Sequence, residues 1–508
     1  MKKLELLLPA GNLEKLKWAL AYGADAVYAG VPMFSLRARE NQFTWESLAE
    51  GVEYCHSRGK KIYFTANIYA HNVKIGPFMK AFEKMQALKP DAYIMSDPGL
   101  IYLVKKNFPE AEVHLSVQAN NTNWAQVEFW KTIGITRVIL SRELSLKEVR
   151  EIHEMCPDIE LEFFVHGAIC MAYSGRCLLS NYFSHRDPNQ GTCSHSCRWE
   201  YKVFKKDASP EELYDSTGRP EDYQELTGEF YLEEIGQRKI EKAKVERQEL
   251  SQTRRNLSAE GVSEGAVLNQ YSEGETEGQT QRASVSEMLP IDEDEHGTYI
   301  MNSRDICLLS YMQELADAGV VSFKVEGRSK TVNYLAGVGR AYRPALDAVE
   351  ENQEYDAMKL SKEVFAISNR GYTPGFLVGN PGEKGIYFEK NQDLHEEDPV
   401  GIVKGWCKCP PVKGGGEAGG FMARIEVKNR IDINDKLILL SPSQRIEFSL
   451  TDIIADPILL KDPKSEVASH TEVPTNGERK ESGHGGHIDL WINVPEEPTE
   501  YAIIRKGI

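Results

Sequence analysis

The chain has no uninterrupted apolar run of the ~18 residues that would cross a bilayer, so a membrane-spanning protein is not expected. It has no excess of basic charge: 60 Lys and Arg stand against 77 Asp and Glu, a net charge of −17. The basic footprint usual in a nucleic-acid binder is therefore absent overall, although a local patch is not excluded. Neither H-E-x-x-H nor G-x-S-x-G occurs, which removes the commonest signatures of zinc and serine hydrolases. No internal repeat is visible. The opening MKKLELLLPAGNLEKLK has two lysines, but its apolar run is short, contains Glu5 and lacks a cleavage-type site. It reads as a first strand, and a cytoplasmic, reducing environment is expected. There, nine cysteines are not expected to form a disulfide framework.

What is present is strand–helix alternation. Short apolar runs at Leu4–Leu8, Ala26–Ala29, Lys61–Asn67, Ala92–Ser96, Val113–Gln118, Arg137–Ser141 and Glu160–His166 are separated by helical patterns. One such pattern carries Leu13, Leu16 and Leu20 and stops at Gly23. Another opens with Ser145 and Glu148 at capping-box spacing. An eighth strand reads at Val320–Glu326, preceded by a helical Ser303–Ala318 and followed by a helical Lys330–Glu350. Eight units predict an α/β fold of the (β/α)8 TIM-type barrel class, with a doubly wound sheet as the competitor. The long excursion between strands seven and eight leaves from the C-terminal face, where active sites of such barrels lie.

The expected domains are 1–204 for the first part of the barrel, 205–290 for a mobile low-complexity insertion, and 291–395 for barrel completion and a helical linker. The insertion is rich in Glu, Gln, Ser and Gly and buries too little apolar surface to offset its chain entropy. Residues 396–508 alternate apolar and polar at Phe421–Val427, Lys436–Ser441, Arg445–Leu450 and His487–Val494, the pattern of a small antiparallel β-barrel. Within it, 463–486 reads as a second mobile loop.

The strongest chemical signal is HGAICMAYSGRCLLSNYFSHRDPNQGTCSHSCRWEY. Cys170, Cys177, Cys193 and Cys197 follow as C-x6-C, fifteen residues, then C-x3-C. Thiolates are soft ligands for zinc or iron–sulfur centres. Zinc ribbons favour C-x2-C pairs, so these gaps lean toward a [4Fe–4S] cluster, while His185 and His195 keep a mixed zinc site open. Cys55 and Cys156 fit buried helix positions; Cys307 fits core packing, and Cys407 with Cys409 is too isolated to define a site.

Polar residues at the C-terminal ends of the strands form a second group: Asn67, Ser96 with Asp97, Gln118, Arg142 with Glu143, His166, and Lys324, Glu326 with Arg328. Arg142, Lys324 and Arg328 suit the carboxylates of a small acidic metabolite, unless Glu143 and Glu326 neutralise them in buried pairs. His166 suits a general acid or base, or a structural hydrogen bond. Tyr28, Phe34, Tyr69 and Trp199 are candidates to stack on a base, or to pack the core.

The stretches PAGNLEKLKWALAYGADAVYAG, HLSVQANNTN, EFFVHGAICMAYSGRCLLS, MNSRDICLL and SFKVEGRSKTVNYLAGVGRAYR resemble the peptidase U32 family. The resemblance covers the barrel and, more loosely, the C-terminal part. It implies one of two activities. The layout looks most like a tRNA-modifying branch that converts uridine 34 to 5-hydroxyuridine, needs prephenate and carries a [4Fe–4S] cluster. The ligands carried over by position are Cys170, Cys177, Cys193 and Cys197, with Cys307 the alternative to Cys197. The other implied activity is a collagenase-like peptidase, for which His166 and Cys170 would serve as base and nucleophile. The same cysteine cannot do both, since a thiolate bound to iron is no nucleophile. tRNA, a small acidic metabolite and a protein partner or second copy are the partners expected.

Overall fold

In the computed structural model, the described residues are 3–36, 41–184, 186–195, 197, 201–205, 230–234, 293–294, 297–298, 302–387, 394–408, 420–455, 478–484 and 489–508. They fall into two compact units. The first comprises 1–196, 303–387 and 391–508; the second comprises 197–302 and 388–390.

The first unit begins with β1 (Glu5–Ala10), α1 (Leu13–Ala21), β2 (Ala26–Gly30), α2 (Trp45–His56), β3 (Lys61–Thr65), α3 (Asn72–Leu88), β4 (Ala92–Met95), α4 (Pro98–Asn107), β5 (Val113–Leu115), α5 (Trp124–Thr132), β6 (Arg137–Ile139), α6 (Leu146–Met155) and β7 (Glu160–Ala168). Short polar caps start the helices. The side chains of Asn12, Thr44, Asp97, Asn123 and Ser145 each accept a backbone N–H of the first turn, and Glu148 closes the capping box with Ser145. The strands are parallel in sequential order, and the strand Val320–Val325 pairs with both β7 and β1, which closes an eight-stranded barrel.

Alternation decides which side chains fill the barrel. Leu7, Tyr28, Tyr63, Ile94, Ile139 and Phe164 form the inner apolar cluster. Their neighbours Leu6, Leu8, Val27, Phe64 and Phe163 face the helices in a larger core. Each fully buried Leu or Phe contributes about 1.5–3 kcal/mol relative to exposure. The inner layer near the N-terminal ends of the strands is charged and closed. Arg137 donates to Glu5 at 2.5 Å and to Glu162 at 3.4 Å, and Lys324 donates to Glu162 at 2.6 Å. Tyr63 and Ser322 donate to Glu5 at 2.6 and 2.8 Å.

One element departs from expectation. The stretch expected to be helical from Ser303 opens as the strand Asp305–Cys307, antiparallel to β7 with Cys307 opposite His166. The helix is confined to Met312–Asp317. Pairing with the overhanging end of β7 outweighs the helical spacing of Leu308, Leu309, Met312 and Leu315. The helix expected from Lys330 runs over Val332–Glu350, capped by Thr331.

The C-terminal residues build an eight-stranded antiparallel sheet and a two-stranded ribbon. Besides the expected strands it uses the long Glu397–Lys408 and the strand Ile503–Gly507. Its Ile402, Leu440 and Ile503 belong to the same apolar core as the barrel helices. Of the loop expected at 463–486, residues 478–484 carry two short strands and the rest lies outside the described residues. The second unit contains a four-stranded sheet that includes Tyr201–Lys205 and Phe230–Glu234. The remainder of the insertion expected at 205–290, with His185, Trp199 and Cys409, lies outside the described residues.

Candidate functional site

β7 delivers the cysteine segment to the C-terminal end of the barrel, and the segment is fastened there by contacts that explain its residues. Gly175, at φ +74°, sits so close to the loop after β5 that a Cβ would stand 2.1 Å from the Gln118 carbonyl. Only glycine fits. The Tyr69 N–H donates to the Asn189 carbonyl at 3.2 Å, and the Lys74 ammonium donates to Gln190 at 2.7 Å. The segment is thereby lashed across the ends of β3 and β5. Inside it, the Asn189 amide donates to the Cys177 carbonyl at 3.0 Å, and the Ser180 and Ser194 hydroxyls lie 2.7 Å apart.

These ties hold the stretch that carries three of the cysteines. Cys170, Cys177 and Cys193 are all free thiols. Burial raises the Cys177 pKa, and the charges of Cys170 and Cys193 raise it further, while the N–H groups of Leu179 and Ser180 pull it down. The His195 N–H points at the Cys193 sulfur from 3.4 Å. Several N–H donors aimed at partly buried thiols suit thiolates bound to a metal centre, whose potential such bonds help to set. Among the described residues, no group of three or more His, Cys, Asp and Glu side chains is gathered tightly enough for one metal ion. The soft sulfur donors of this segment are of the kind that hold zinc or an iron–sulfur cluster. Cys197 begins the second unit. Cys307 lies elsewhere, its thiol 3.5 Å from the Tyr342 hydroxyl, and burial raises its pKa.

His166 is not in the barrel mouth. The pairing of β7 with Val320–Val325 shifts by one residue between Phe164 and His166, so Val165 is a bulge and alternation is broken. Phe164 faces inward, whereas His166 turns outward beneath the helix Val332–Glu350. Its Nδ1 lies 3.2 Å from the Tyr342 hydroxyl, which itself donates to the Val165 carbonyl, and Tyr334 and Tyr372 crowd its ring. Burial pushes its pKa down to about 3, with Lys330 adding to the effect and Glu326 opposing it. The geometry is that of a structural hydrogen bond, which sequence reading held beside the acid–base role.

The four residues expected at a substrate are placed as follows. Lys324 is buried against Glu162, not Glu326, with its ammonium 4.5 Å from the Tyr28 ring centre. Arg328 donates to the Ser35 and Thr65 hydroxyls at 2.5 and 2.8 Å and to the Leu36 carbonyl. Glu326 is half-buried beside Gly167, and its carbonyl accepts the Tyr334 hydroxyl at 2.6 Å. Arg142 lies over the Phe164 ring at 4.0 Å and donates to the Ala168 carbonyl, leaving its Nε buried without a partner. The aromatic candidates are committed to packing: Tyr28 donates to the Val325 carbonyl, Tyr69 to the Gln118 carbonyl, and Phe34 packs on Phe78.

A cavity of about 310 Å³ lies beside Cys170, lined by Glu143, Tyr173, Thr373, Phe376 and Asn380 among others. Its far wall comes from residues well beyond strand eight, which no local motif announces. A larger cavity of about 610 Å³ lies where the barrel helices meet the C-terminal sheet, and its arginines are paired: Arg343 with Asp25 and Asp347, Arg340 with Glu363, Arg445 with Glu397.

A family model described as Peptidase family U32 matches residues 11–387. The chain is 38% identical to the tRNA hydroxylation protein P of Escherichia coli (strain K12), across all of this chain and 97% of that protein. It is 41% identical to the tRNA hydroxylation protein P of Haemophilus influenzae, across all of this chain and 96% of that one. The 23S rRNA 5-hydroxycytidine C2501 synthase of Escherichia coli is 29% identical, over 76% of this chain and 47% of its own length.

Proposed function

The chain belongs to peptidase family U32, and on that footing we propose that it is an iron–sulfur-dependent tRNA-modifying enzyme that hydroxylates uridine 34 to 5-hydroxyuridine. Relatives of nearly equal length are named for tRNA hydroxylation, and a more distant one for the hydroxylation of a ribosomal cytidine. The observation that carries the proposal is the fastening of the segment bearing Cys170, Cys177 and Cys193 to the barrel's C-terminal end, through Gly175, Tyr69, Lys74 and Asn189. Replacing C5–H by C5–OH removes two electrons from the base and adds an oxygen atom. No protein side chain supplies both.

Cys170, Cys177 and Cys193, with Cys197 as the fourth, would hold the cluster, which supplies electron or oxygen-group chemistry when bound. The N–H groups of Leu179 and Ser180 oppose the burial that raises the Cys177 pKa, and the His195 N–H points at the Cys193 sulfur. Arg142, with its unpartnered Nε, and Arg328 are the cations by which an acidic co-substrate such as prephenate would be oriented. Lys324 and Glu326 would act behind them, Lys324 through its pair with Glu162. The setting would be cytoplasmic, and no described helix is long and apolar enough to cross a membrane.

The peptidase alternative draws no support from the geometry, because His166 is turned away beneath a helix and bonded to Tyr342. Two measurements test the proposal. Anaerobically purified protein should contain iron and acid-labile sulfide with a charge-transfer absorbance. A deletion strain should lose 5-hydroxyuridine from its tRNA, regaining it with the intact gene but not with Cys177→Ser. Zinc in place of iron, or full restoration by Cys177→Ser, would overturn it.

A further inference from the structure

The cavity beside Cys170 has a composition that selects its occupant. Its volume of about 310 Å³ suits one nucleobase with its sugar. Among the described residues that line it, Glu143 is the sole one with a charged acid or base side chain. A dicarboxylate entering here would meet a negative charge and no cation. Among the described residues no donor meets Glu143 Oε2, which is buried, while the residue itself lines the cavity. A carboxylate so short of donors gains from an N–H offered to its other oxygen by a ligand in the cavity. Across the cavity, Asn380 accepts the Gly382 N–H through Oδ1 at 3.0 Å. That bond fixes the amide so that Nδ2 is left to donate. Phe376 is half-buried and Tyr173 exposed at the wall, two rings of the kind on which unstacked bases rest.

Resting on the RNA-hydroxylation reading above, we infer that this cavity receives the target base turned out of its stack, and that Glu143 selects uridine over cytidine by accepting the N3–H. Uracil carries a proton at N3 between two carbonyls, and the Asn380 amide is placed to meet one carbonyl while Glu143 takes the proton. Cytosine presents a lone pair at N3. Set against a carboxylate, that lone pair repels and leaves both groups unsatisfied. A site built to bond one hydrogen rejects the analogue lacking it by large factors, up to 10⁴–10⁵-fold when fully enclosed. In a cavity open to solvent on one side, a difference on the order of 10–100-fold is expected. Glu143 lies in the loop after β6, which pairs with β7, the strand leading into the cysteine segment, so a base held here would lie beside Cys170. Extruding a base before chemistry is the general solution for enzymes acting on nucleobases.

The test uses the full chain, purified anaerobically, and three anticodon stem-loops that differ only at the wobble position: uridine, cytidine and 3-methyluridine. Fluorescence anisotropy should show uridine bound at least tenfold more tightly than the other two. Glu143→Gln, which is isosteric and can turn its NH₂ toward a cytosine N3, should narrow the uridine–cytidine gap with iron content unchanged. Asn380→Ala should weaken uridine and cytidine alike, since both keep a carbonyl at C2. Equal binding of all three loops by the wild type overturns the assignment. So does displacement of the uridine loop by prephenate in competition with it. If tRNA from cells is still hydroxylated in either case, the RNA reading survives and only the pocket is misplaced; absence of hydroxylation by the wild-type protein itself defeats the RNA reading instead.

Discussion

Two buried groups carry the clearest consequences for single substitutions. His166 has its pKa lowered to about 3 in the folded protein, mainly by burial, against about 6.5 in an unfolded chain. The unfolded state therefore binds the proton more readily, so the stability contribution is complete above about pH 6.5 and is lost as pH falls toward 3. The slope attributable to this group is at most about 1.4 kcal/mol per pH unit. His114, buried near Arg137 and Lys324 and also shifted down, adds to it with the same sign. His166→Phe is expected to flatten the decline between pH 6 and 4, read as urea midpoints against pH; parallel curves for the two proteins would contradict this. Lys324 is the second case. Lys324→Met leaves Glu162, which is fully buried, with Arg137 as its remaining cation at 3.4 Å. Breaking a buried pair from one side costs about 3–5 kcal/mol. The variant should unfold at distinctly lower urea, and adding Glu162→Gln should recover a substantial part of the loss.

At the level of elements, the sequence was legible wherever local chemistry and tertiary need agreed. All eight barrel strands lie on the apolar runs read from the sequence, and the Ser145–Glu148 capping box forms as spaced. The strand Asp305–Cys307 was hidden because DICLLSYMQELADA has helical spacing and its strand partner is more than a hundred residues away. The bulge at Val165 was equally hidden. Strict alternation puts His166 inside with Glu162 and Phe164, and only the partner strand's register reveals the extra residue. In the candidate site, spacing singles out the cysteine segment, whereas the commitments of Lys324 and Arg328 depend on β7, β3 and the loop after β2. Gly175 gives the prediction proper to this scale. Gly175→Ala would drive a methyl into the Gln118 carbonyl, so the cysteine segment must lift from the β5 loop. Iron per chain should fall and alkylation of Cys177 in the iron-free protein should quicken several-fold, with the far-ultraviolet circular dichroism unchanged. Unaltered iron and alkylation rates would mean that the fastening is not needed.

Over the whole first unit, the C-terminal sheet keeps an apolar core of its own and joins that of the barrel through Ile402, Leu440 and Ile503 and through a buried ionic link. Arg505, fully buried in the strand Ile503–Gly507, donates to the Asn333 side chain at 2.7 Å and to Glu397 at 3.1 Å. Tyr501 packs edge-on against Trp18 of α1, and its carbonyl accepts the Tyr22 hydroxyl at 2.8 Å. The unit should therefore melt in one transition in calorimetry. Arg505→Ala, which leaves Glu397 to Arg445 and Glu363 to Arg340 but takes the donor from the buried Asn333 side chain, should lower that transition without splitting it. Two separate transitions in the wild type would refute that joining. The charged layer inside the barrel reaches further. Glu5, Arg137, Glu162 and Lys324 form it, with Glu160 also on the Arg137 guanidinium at 2.7 Å, and altering Arg137 or Lys324 alone leaves buried carboxylate charge without its cation. Across descent such residues cannot drift independently: a lineage that swaps one must swap its opposite nearly at once or endure a poorly folding ancestor. Among related chains the four positions should thus be inherited as a block or exchanged in pairs, a pattern that a tally of co-varying columns can check.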